Sequence, residues 1–475
     1  MNKKSFRILT VIFLLSLAFN LYLGFSSPYL NNADSYFNIR IIDNIKNTGL
    51  PITYDELSYG GRPVITEPLF HYLFALLSFI PYYFKIFPAI LISSLVIIVY
   101  FISKEIINDE TSSLLTSLLS GFVPIYSNVL INQFTPYSLV LPLMAFIILC
   151  FMKLENKKYL IWFLASSFLL AFIHTSSFLL LFILLFYILL MNSEDMQITK
   201  LKRETLVFTF FLILFINLLV FRKVFLQYGF DTIYGNNPVK HTFDVLKNIY
   251  IIGIIPLFLG ITGLYQGFFR LKKEPIILIS SMILSIFLLL LLNLLDISTG
   301  LLFLSFGLVV ASSLTIRNFF VYLEKTKFNH LRKFAISLFI FFIIMLLIIP
   351  AYFNYNKEFN NLDDFHWFKA NSGYSDVILT PLSYGHIVTY FSDRKNVIDG
   401  NFFLAPDPDK RYYDVNLIYS GWSYNKALEL LHEYDVKYIY IGEDVKKLYN
   451  IQDLKYIQDG TCIRKIKESI YEVIC

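Results

Sequence analysis

Blocks of about 20 consecutive apolar residues recur along this chain and constrain its fold more than any other feature. Residues 206–221 and 277–295 carry no charged side chain. Because an apolar helix of about 20 residues crosses the hydrocarbon core of a bilayer, each block predicts a membrane-spanning helix. Only 16% of the 475 residues are charged, whereas soluble domains average about 25%. The chain is therefore expected to be a polytopic integral membrane protein.

About eleven such spans can be placed, and they leave two long loops and a C-terminal tail outside the bilayer. The long loops cover residues 27–87 and 222–248. We expect an all-α membrane domain at residues 1–353 and a soluble α/β domain at residues 354–475. The predicted spans cover residues 8–26, 88–103, 112–128, 138–152, 159–173, 176–191, 206–221, 249–268, 276–295, 300–320 and 333–353.

Lys and Arg residues concentrate in alternate loops, which indicates the orientation of the chain. The short connections at residues 129–137, 174–175 and 296–299 contain neither residue type. By the positive-inside rule these connections are outside and the basic N-terminus is cytoplasmic. The first apolar run could be a cleaved signal peptide, but it is long for one and many spans follow, so we expect an uncleaved first span. An odd number of spans then places the C-terminal domain outside the cell membrane. The basic residues form no patch typical of nucleic-acid binding.

The tail beyond residue 353 alternates strand and helix patterns. Strands are predicted at residues 377–379, 396–398 and 436–441, and a helix at residues 425–434. A closing hairpin is predicted at residues 462–466 and 470–474. This alternation is typical of a small α/β domain. Cys462 and Cys475 fit either a disulfide on an oxidising side of the membrane or two free thiols.

The first long loop contains a predicted helix over residues 35–48, with Asp34 as its N-terminal cap and Gly49 at its C-terminal stop. Phe37, Ile41 and Ile45 recur on one face of this helix. An amphipathic helix next to a membrane span is expected to lie flat on the membrane surface.

The order of residues in this loop resembles the first external loop of the archaeal and bacterial oligosaccharyltransferase catalytic subunit. That family belongs to the C-type membrane glycosyltransferases (GT-C), whose loop has a catalytic Asp, then aromatic residues and an Arg, then a Pro-Leu-Phe entry to the second span. Asp34 matches the catalytic Asp. The residues that carry the likeness are Asp34 to Arg40, Asp55 to Arg62, and Glu67 to His71.

The C-terminal domain resembles the same family, with departures. The segment from Thr380 to His386 lies where the family has its Trp-Trp-Asp-Tyr-Gly signature, and only Tyr384 and Gly385 match it. The segment 396–400 follows as in the family. The outer connection from Asn132 to Ser138 lacks the family's second acidic residue, and the second long loop has Gly235 where an acceptor-side Glu is expected. We therefore do not expect transfer to asparagine sequons.

Asp34 is also expected to be functional on chemical grounds. A polyprenyl-phosphate sugar keeps its phosphate at the membrane surface, where a carboxylate can take a proton from the acceptor or bind Mg²⁺ or Mn²⁺. A cap without catalytic role is the alternative for Asp34. Glu67 and His174 are further catalytic candidates, with a loop acid and a satisfied turn histidine as alternatives. The candidate substrate-binding residues are Tyr36, Arg40, Arg62, Arg222, Lys223 and Tyr384.

The expected function is transfer of a sugar from a polyprenyl-phosphate or pyrophosphate donor to a glycan, lipid or protein acceptor outside the membrane. The resemblance implies an archaeal source. Two other classes fit the composition. The chain could be a lipid-linked glycan transporter or polymerase, although such proteins rarely end in a separate α/β domain. It could also be an inactive membrane scaffold that binds glycan or protein, which the missing second carboxylate favours.

Overall fold

The structure is a computed structural model that describes residues 2–228, 244–326, 329–353, 355, 359, 362–456 and 462–475. The chain divides into two compact units. A helical unit comprises Met1–Pro28, Ile80–Arg222 and Phe230–Asn356. A mixed unit comprises Tyr29–Phe79, Lys223–Gly229 and Lys357–Cys475. The first external loop therefore belongs to the same compact unit as the C-terminal tail. The predicted loop segment around Asp231 and Gly235 lies outside the described residues.

Seven helices in the described part of the chain are long and apolar enough to cross a membrane. In the order of the eleven predicted spans, they correspond to the first, the second and the last five. Several have large apolar side chains that are mostly exposed, among them Phe211, Phe258 and Phe334. Such surfaces are stable beside lipid chains rather than water. The seven helices are α1 (Lys3–Phe25), α4 (Tyr83–Ile107), α10 (Lys200–Val220), α12 (Ile254–Leu271), α13 (Glu274–Leu291), α14 (Ile297–Lys325) and α15 (Arg332–Phe353).

The remaining predicted spans are shorter helices. Three have 16 or 17 residues: α7 (Tyr137–Met152), α8 (Lys157–Ile173) and α9 (Ser177–Ser193). The predicted span at residues 112–128 is broken into α5 (Glu110–Ser120) and α6 (Pro124–Val129). Pro124 cannot donate the backbone hydrogen bond that would continue α5. Next to the break, the carbonyl of Gly121 accepts a hydrogen bond of 3.0 Å from the Ser16 hydroxyl. Helix α11 (Arg222–Tyr228) follows α10.

The first external loop folds as α2 (Ala33–Thr48), β1 (Tyr54–Asp55), β2 (Arg62–Pro63) and α3 (Pro68–Leu77). The apolar face of α2 is buried by protein: Phe37, Ile41 and Ile45 pack with Val64 and with residues of α3. The prediction that this face rests on the membrane surface is therefore wrong. An amphipathic pattern predicts a buried apolar face but does not say whether lipid or protein buries it.

The C-terminal part contains a five-stranded mixed sheet with strand order β4-β3-β5-β7-β6. Strands β3, β4 and β5 are parallel, whereas β5, β7 and β6 are antiparallel. The predicted strands and hairpin are confirmed. Cys462 and Cys475 form a disulfide across the hairpin, with their Cα atoms 5.0 Å apart. The elements are α16 (Asp363–Asn371), β3 (Val377–Leu379), β4 (Lys395–Asn396), α17 (Pro408–Ser420), α18 (Tyr424–Glu433), β5 (Val436–Tyr440), α19 (Glu443–Tyr449), β6 (Ile463–Lys467) and β7 (Ile470–Val473).

Candidate active site

Asp34 lies in the first turn of α2 and its side chain is 57% exposed. The helix is capped by Asn32, whose side-chain oxygen accepts the backbone N–H of Asp34 at 2.8 Å. The prediction that Asp34 caps this helix is therefore wrong, because a cap-forming residue two positions earlier occupies that place. The carboxylate of Asp34 is left facing solvent at the positive end of a helix dipole, where a negative charge is favoured.

His386 faces this carboxylate from a helical turn after β3. Its side chain is 1% exposed, and its Nε2 lies 3.8 Å from Oδ1 of Asp34 and 3.7 Å from Oδ1 of Asp399. The imidazole also packs on the ring of Phe37, with 4.7 Å between the ring centroids. The preceding residue must be Gly385, since a side chain there would collide with the Ile398 carbonyl. The chain thus brings an imidazole between two carboxylates.

Asp399 is fully buried and forms the back of this arrangement. Its Oδ2 accepts hydrogen bonds from the Ser58 hydroxyl at 2.6 Å and from the Asn396 amide at 3.0 Å. Burial by itself would raise the pKa of this carboxyl. Electrostatic interaction with His386 and Arg62, together with the two hydrogen bonds, outweighs burial, so the pKa of Asp399 is lowered from its ordinary value. A lowered pKa means that Asp399 holds a negative charge behind the imidazole.

Arg62, a predicted substrate-binding residue, lies behind Asp399 and is 1% exposed. Its Nη2 is 3.3 Å from Oδ1 of Asp399, its Nε donates to the Ser58 hydroxyl at 2.7 Å, and its Nη1 donates to the carbonyl of Phe403 at 2.8 Å. Because its donors are directed at protein acceptors, Arg62 supports the buried carboxylate rather than offering a surface for a ligand.

Other predicted substrate-binding residues also have protein partners. Arg40 forms an ion pair with Asp55 in the same loop. The hydroxyl of Tyr36 accepts the backbone N–H of Leu30 at 2.9 Å, and burial raises the pKa of that phenol. The hydroxyl of Tyr384 donates to Asp444 at 3.1 Å. All three side chains are therefore positioned by contacts within the mixed unit.

The remaining predicted residues belong to other elements of the structure. Glu67 precedes α3, and its carbonyl bonds with Nδ1 of His71 at 3.0 Å. His174 ends α8, where its Nδ1 accepts the backbone N–H of Ser176 at 3.0 Å, as in a satisfied turn. Arg222 and Lys223 are exposed at the start of α11.

Three residues with marked environments were not singled out from the sequence: His386, Asp399 and Lys85. The first two lie in segments that carry the family resemblance, and that was the available signal. Lys85, in the helical unit, is 4% exposed at the start of α4 and donates to the Ser27 carbonyl at 2.5 Å. Within the described residues, no carboxylate forms an ion pair with it.

The described residues contain no group of three or more His, Cys, Asp or Glu side chains arranged to hold a metal ion. Asp34 could supply one carboxylate to Mg²⁺ or Mn²⁺, but Asp399 is occupied by hydrogen-bond donors and by Arg62. Hard cations of this kind require about six oxygen ligands. The side chains around Asp34 therefore do not by themselves fit the metal ion that the sequence suggested.

No protein-family model and no curated protein matches the sequence, but solved structures match the fold. The Archaeoglobus fulgidus oligosaccharyltransferase, crystallised with Zn and sulfate, aligns with a TM-score of 0.68 at 14% identity, over 90% of this chain and 67% of that chain. The same organism's AglB, in complex with an inhibitory peptide and a dolichol-phosphate, aligns with a TM-score of 0.67 at 12% identity, over 91% and 69%.

A second kind of protein matches over nearly its whole length. ArnT from Cupriavidus metallidurans, in the apo state, aligns with a TM-score of 0.60 at 10% identity, over 98% of this chain and 97% of that chain. This chain thus spans about two thirds of the archaeal oligosaccharyltransferase and almost all of ArnT. The predicted fold class is confirmed: the chain shares the fold of the archaeal oligosaccharyltransferase and of ArnT, with long apolar helices and a C-terminal sheet region.

Proposed function

We propose that this protein is a membrane glycosyltransferase that moves a sugar from a polyprenyl-phosphate or pyrophosphate donor to an acceptor on the outer face of the membrane. The observation that carries the proposal is the exposed Asp34 carboxylate beside the buried His386, within a GT-C fold. Among the described residues, no basic side chain donates a hydrogen bond to Asp34, and its carboxylate is available to a substrate.

Asp34 acts as the general base. The acceptor hydroxyl oxygen attacks the anomeric carbon of the sugar, and the bond from that carbon to the phosphate oxygen breaks with its electron pair going to the phosphate. The hydroxyl proton passes to Asp34. Removing this proton as the new bond forms is worth about 100-fold or more in rate. The leaving phosphate remains on the lipid carrier.

The helical unit, taken by itself, contains two cations that are candidates for binding a phosphate. Lys85 is buried, and an ammonium buried without a counter-ion is costly unless an anion joins it. Arg222, exposed at the start of α11, is the second candidate. The pairing of Arg40 with Asp55 makes Arg40 a weaker choice than the sequence suggested.

The disulfide between Cys462 and Cys475 supports an extracytoplasmic C-terminal domain, since structural disulfides form mainly on the oxidising side of a membrane. It agrees with the orientation inferred from Lys and Arg. In this orientation Asp34, the candidate base, is on the outer side of the membrane.

A strain that lacks this protein tests the function directly. We expect its lipid-linked sugar donor to accumulate and one extracytoplasmic glycoconjugate to disappear, with both restored by the wild-type gene. Unchanged lipid-linked sugar and glycan profiles would contradict a transferase and favour a scaffold. A donor confined to the inner leaflet would favour a transporter instead.

A further inference from the structure

We propose that His386 is a positioning residue that holds the Asp34 carboxylate in place for proton transfer. The inference rests on the proposed function and adds a role for the buried imidazole that neither the sequence pattern nor the fold likeness assigns. His386 transfers no atom of its own. The bonds that form and break are those of the sugar transfer.

The imidazole is itself held in one orientation. On one side its ring packs on Phe37, which lies three residues after Asp34 on the same face of α2. On the other side Nε2 faces the buried carboxylate of Asp399, 3.7 Å away. A side chain that is 1% exposed and fixed from two sides cannot easily change rotamer. The edge that carries Nε2 is therefore directed at Asp34.

Three charged groups lie around the imidazole. Arg62 pairs with Asp399, and His386 lies between Asp399 and Asp34. Because Arg62 balances the negative charge of Asp399, Asp34 is the second carboxylate that the Nε2 edge of the imidazole faces. Its Nδ1 has no hydrogen-bond partner among the described residues. The Nε2 edge is thus the side of the ring that faces the carboxylates of Asp34 and Asp399.

The backbone leaves room for this approach. A Cβ atom on Gly400 would lie 3.3 Å from Oδ1 of Asp34 and 3.9 Å from Nε2 of His386. The first distance is tighter than a comfortable carbon–oxygen contact, so an alanine here would require the carboxylate of Asp34 to shift by a few tenths of an ångström from its place beside the imidazole. Gly400 has an ordinary backbone conformation, and the substitution therefore adds one methyl group at the contact without straining the chain.

Three variants test the role: His386→Ala, His386→Gln and Gly400→Ala. His386→Ala should lower the product by about 10- to 100-fold, the scale of a catalytic group displaced by about 1 Å. His386→Gln keeps a donor near the position of Nε2 and should recover part of that loss. Gly400→Ala should lower the product while the unfolding temperature of the purified protein stays at the wild-type value. The matched control is His432→Gln on α18, an exposed histidine, which should behave as wild type.

A double variant separates positioning from mere packing. If His386 acts through Asp34, then Asp34→Asn with His386→Ala should leave the same residual product as Asp34→Asn alone. Wild-type product in His386→Ala, or a further drop in the double variant, would overturn the inference. If His386→Ala fails to fold, Gly400→Ala provides the test instead. Wild-type product in Gly400→Ala also overturns the positioning role of His386. Wild-type product in Asp34→Asn would contradict the proposed function itself. Wild-type product in the His386 and Gly400 variants, with loss of product in Asp34→Asn, would contradict only the positioning role of His386.

Discussion

Arg62 and Asp399 are 337 residues apart in the chain, yet Nη2 of Arg62 lies 3.3 Å from Oδ1 of Asp399 and both side chains are buried. The pair joins the first external loop to the C-terminal part of the same compact unit. Tyr59 strengthens the connection, since its hydroxyl donates to the Asp399 carbonyl at 2.9 Å. The first external loop, which contains Asp34, is therefore held by contacts with Asp399 of the C-terminal part.

Breaking this pair should destabilise the mixed unit. Arg62→Met leaves Asp399 buried without its cation, which typically costs about 3–5 kcal/mol. The unfolding temperature, followed by the fluorescence of Trp367 and Trp422, should fall clearly. Arg62→Met combined with Asp399→Asn should be less destabilised than the sum of the single variants, because no unpaired charge remains. Additive losses would show that the two side chains do not interact as described.

Acid should destabilise the protein through His71. Burial lowers the pKa of this imidazole to about 4, against an ordinary value near 6.5. Since the folded state disfavours the proton, stability is complete above about pH 6.5 and is lost as pH falls toward about 4. The shift corresponds to roughly 3 kcal/mol. His71→Gln should lose less stability than wild type across this range, and identical pH profiles would contradict the assignment.

The topology makes a separate prediction. A protease added to intact cells should remove an epitope tag placed after Cys475, since the basic loops and the disulfide both indicate an outside C-terminus. A thiol reagent that cannot cross membranes should label Cys462 and Cys475 only after reduction. Protection of the tag would move the mixed unit to the cytoplasm and remove the donor chemistry proposed for it.

Peptide sequons should not be acceptors. An archaeal oligosaccharyltransferase of the same fold has been crystallised with a tethered acceptor peptide that contains a sequon. In this chain, the segment that resembles the Trp-Trp-Asp-Tyr-Gly signature of the oligosaccharyltransferases has Pro381, Leu382 and Ser383. These residues provide neither indole rings nor a carboxylate around a peptide hydroxyl. The purified protein should give no glycopeptide with a sequon peptide and a lipid-linked sugar. Sequon-dependent product would show that this departure was misinterpreted.

The helices were predictable because each apolar block is a local property of the sequence. The break between α5 and α6 was missed because hydropathy measures only how apolar the block is, whereas Pro124 lacks the backbone N–H that would continue the helix. The helix cap was misassigned to Asp34 because several residues before α2 can cap, and local sequence does not choose among them. The apolar face of α2 was correctly recognised, but its protein partners come from α3 and Val64.

The site itself was only half predictable. Asp34 follows from its place after the first span and from the resemblance. Its neighbours His386 and Asp399 lie about 350 residues away, and one sequence without an alignment does not show which distant segments meet. Arg62 was predicted to bind substrate, whereas the fold pairs it with the buried carboxylate of Asp399.

The measurement that tests the account most directly compares two aspartates on α2. Asp34→Asn keeps the shape of the side chain but removes its charge and basicity, and Asn32 caps the helix in either form. Asp43→Asn makes the same change at an exposed position on the same helix. At equal membrane abundance, the glycan product should fall at least ~100-fold in Asp34→Asn and stay at the wild-type level in Asp43→Asn. Wild-type product in the Asp34 variant would contradict its role as the catalytic base.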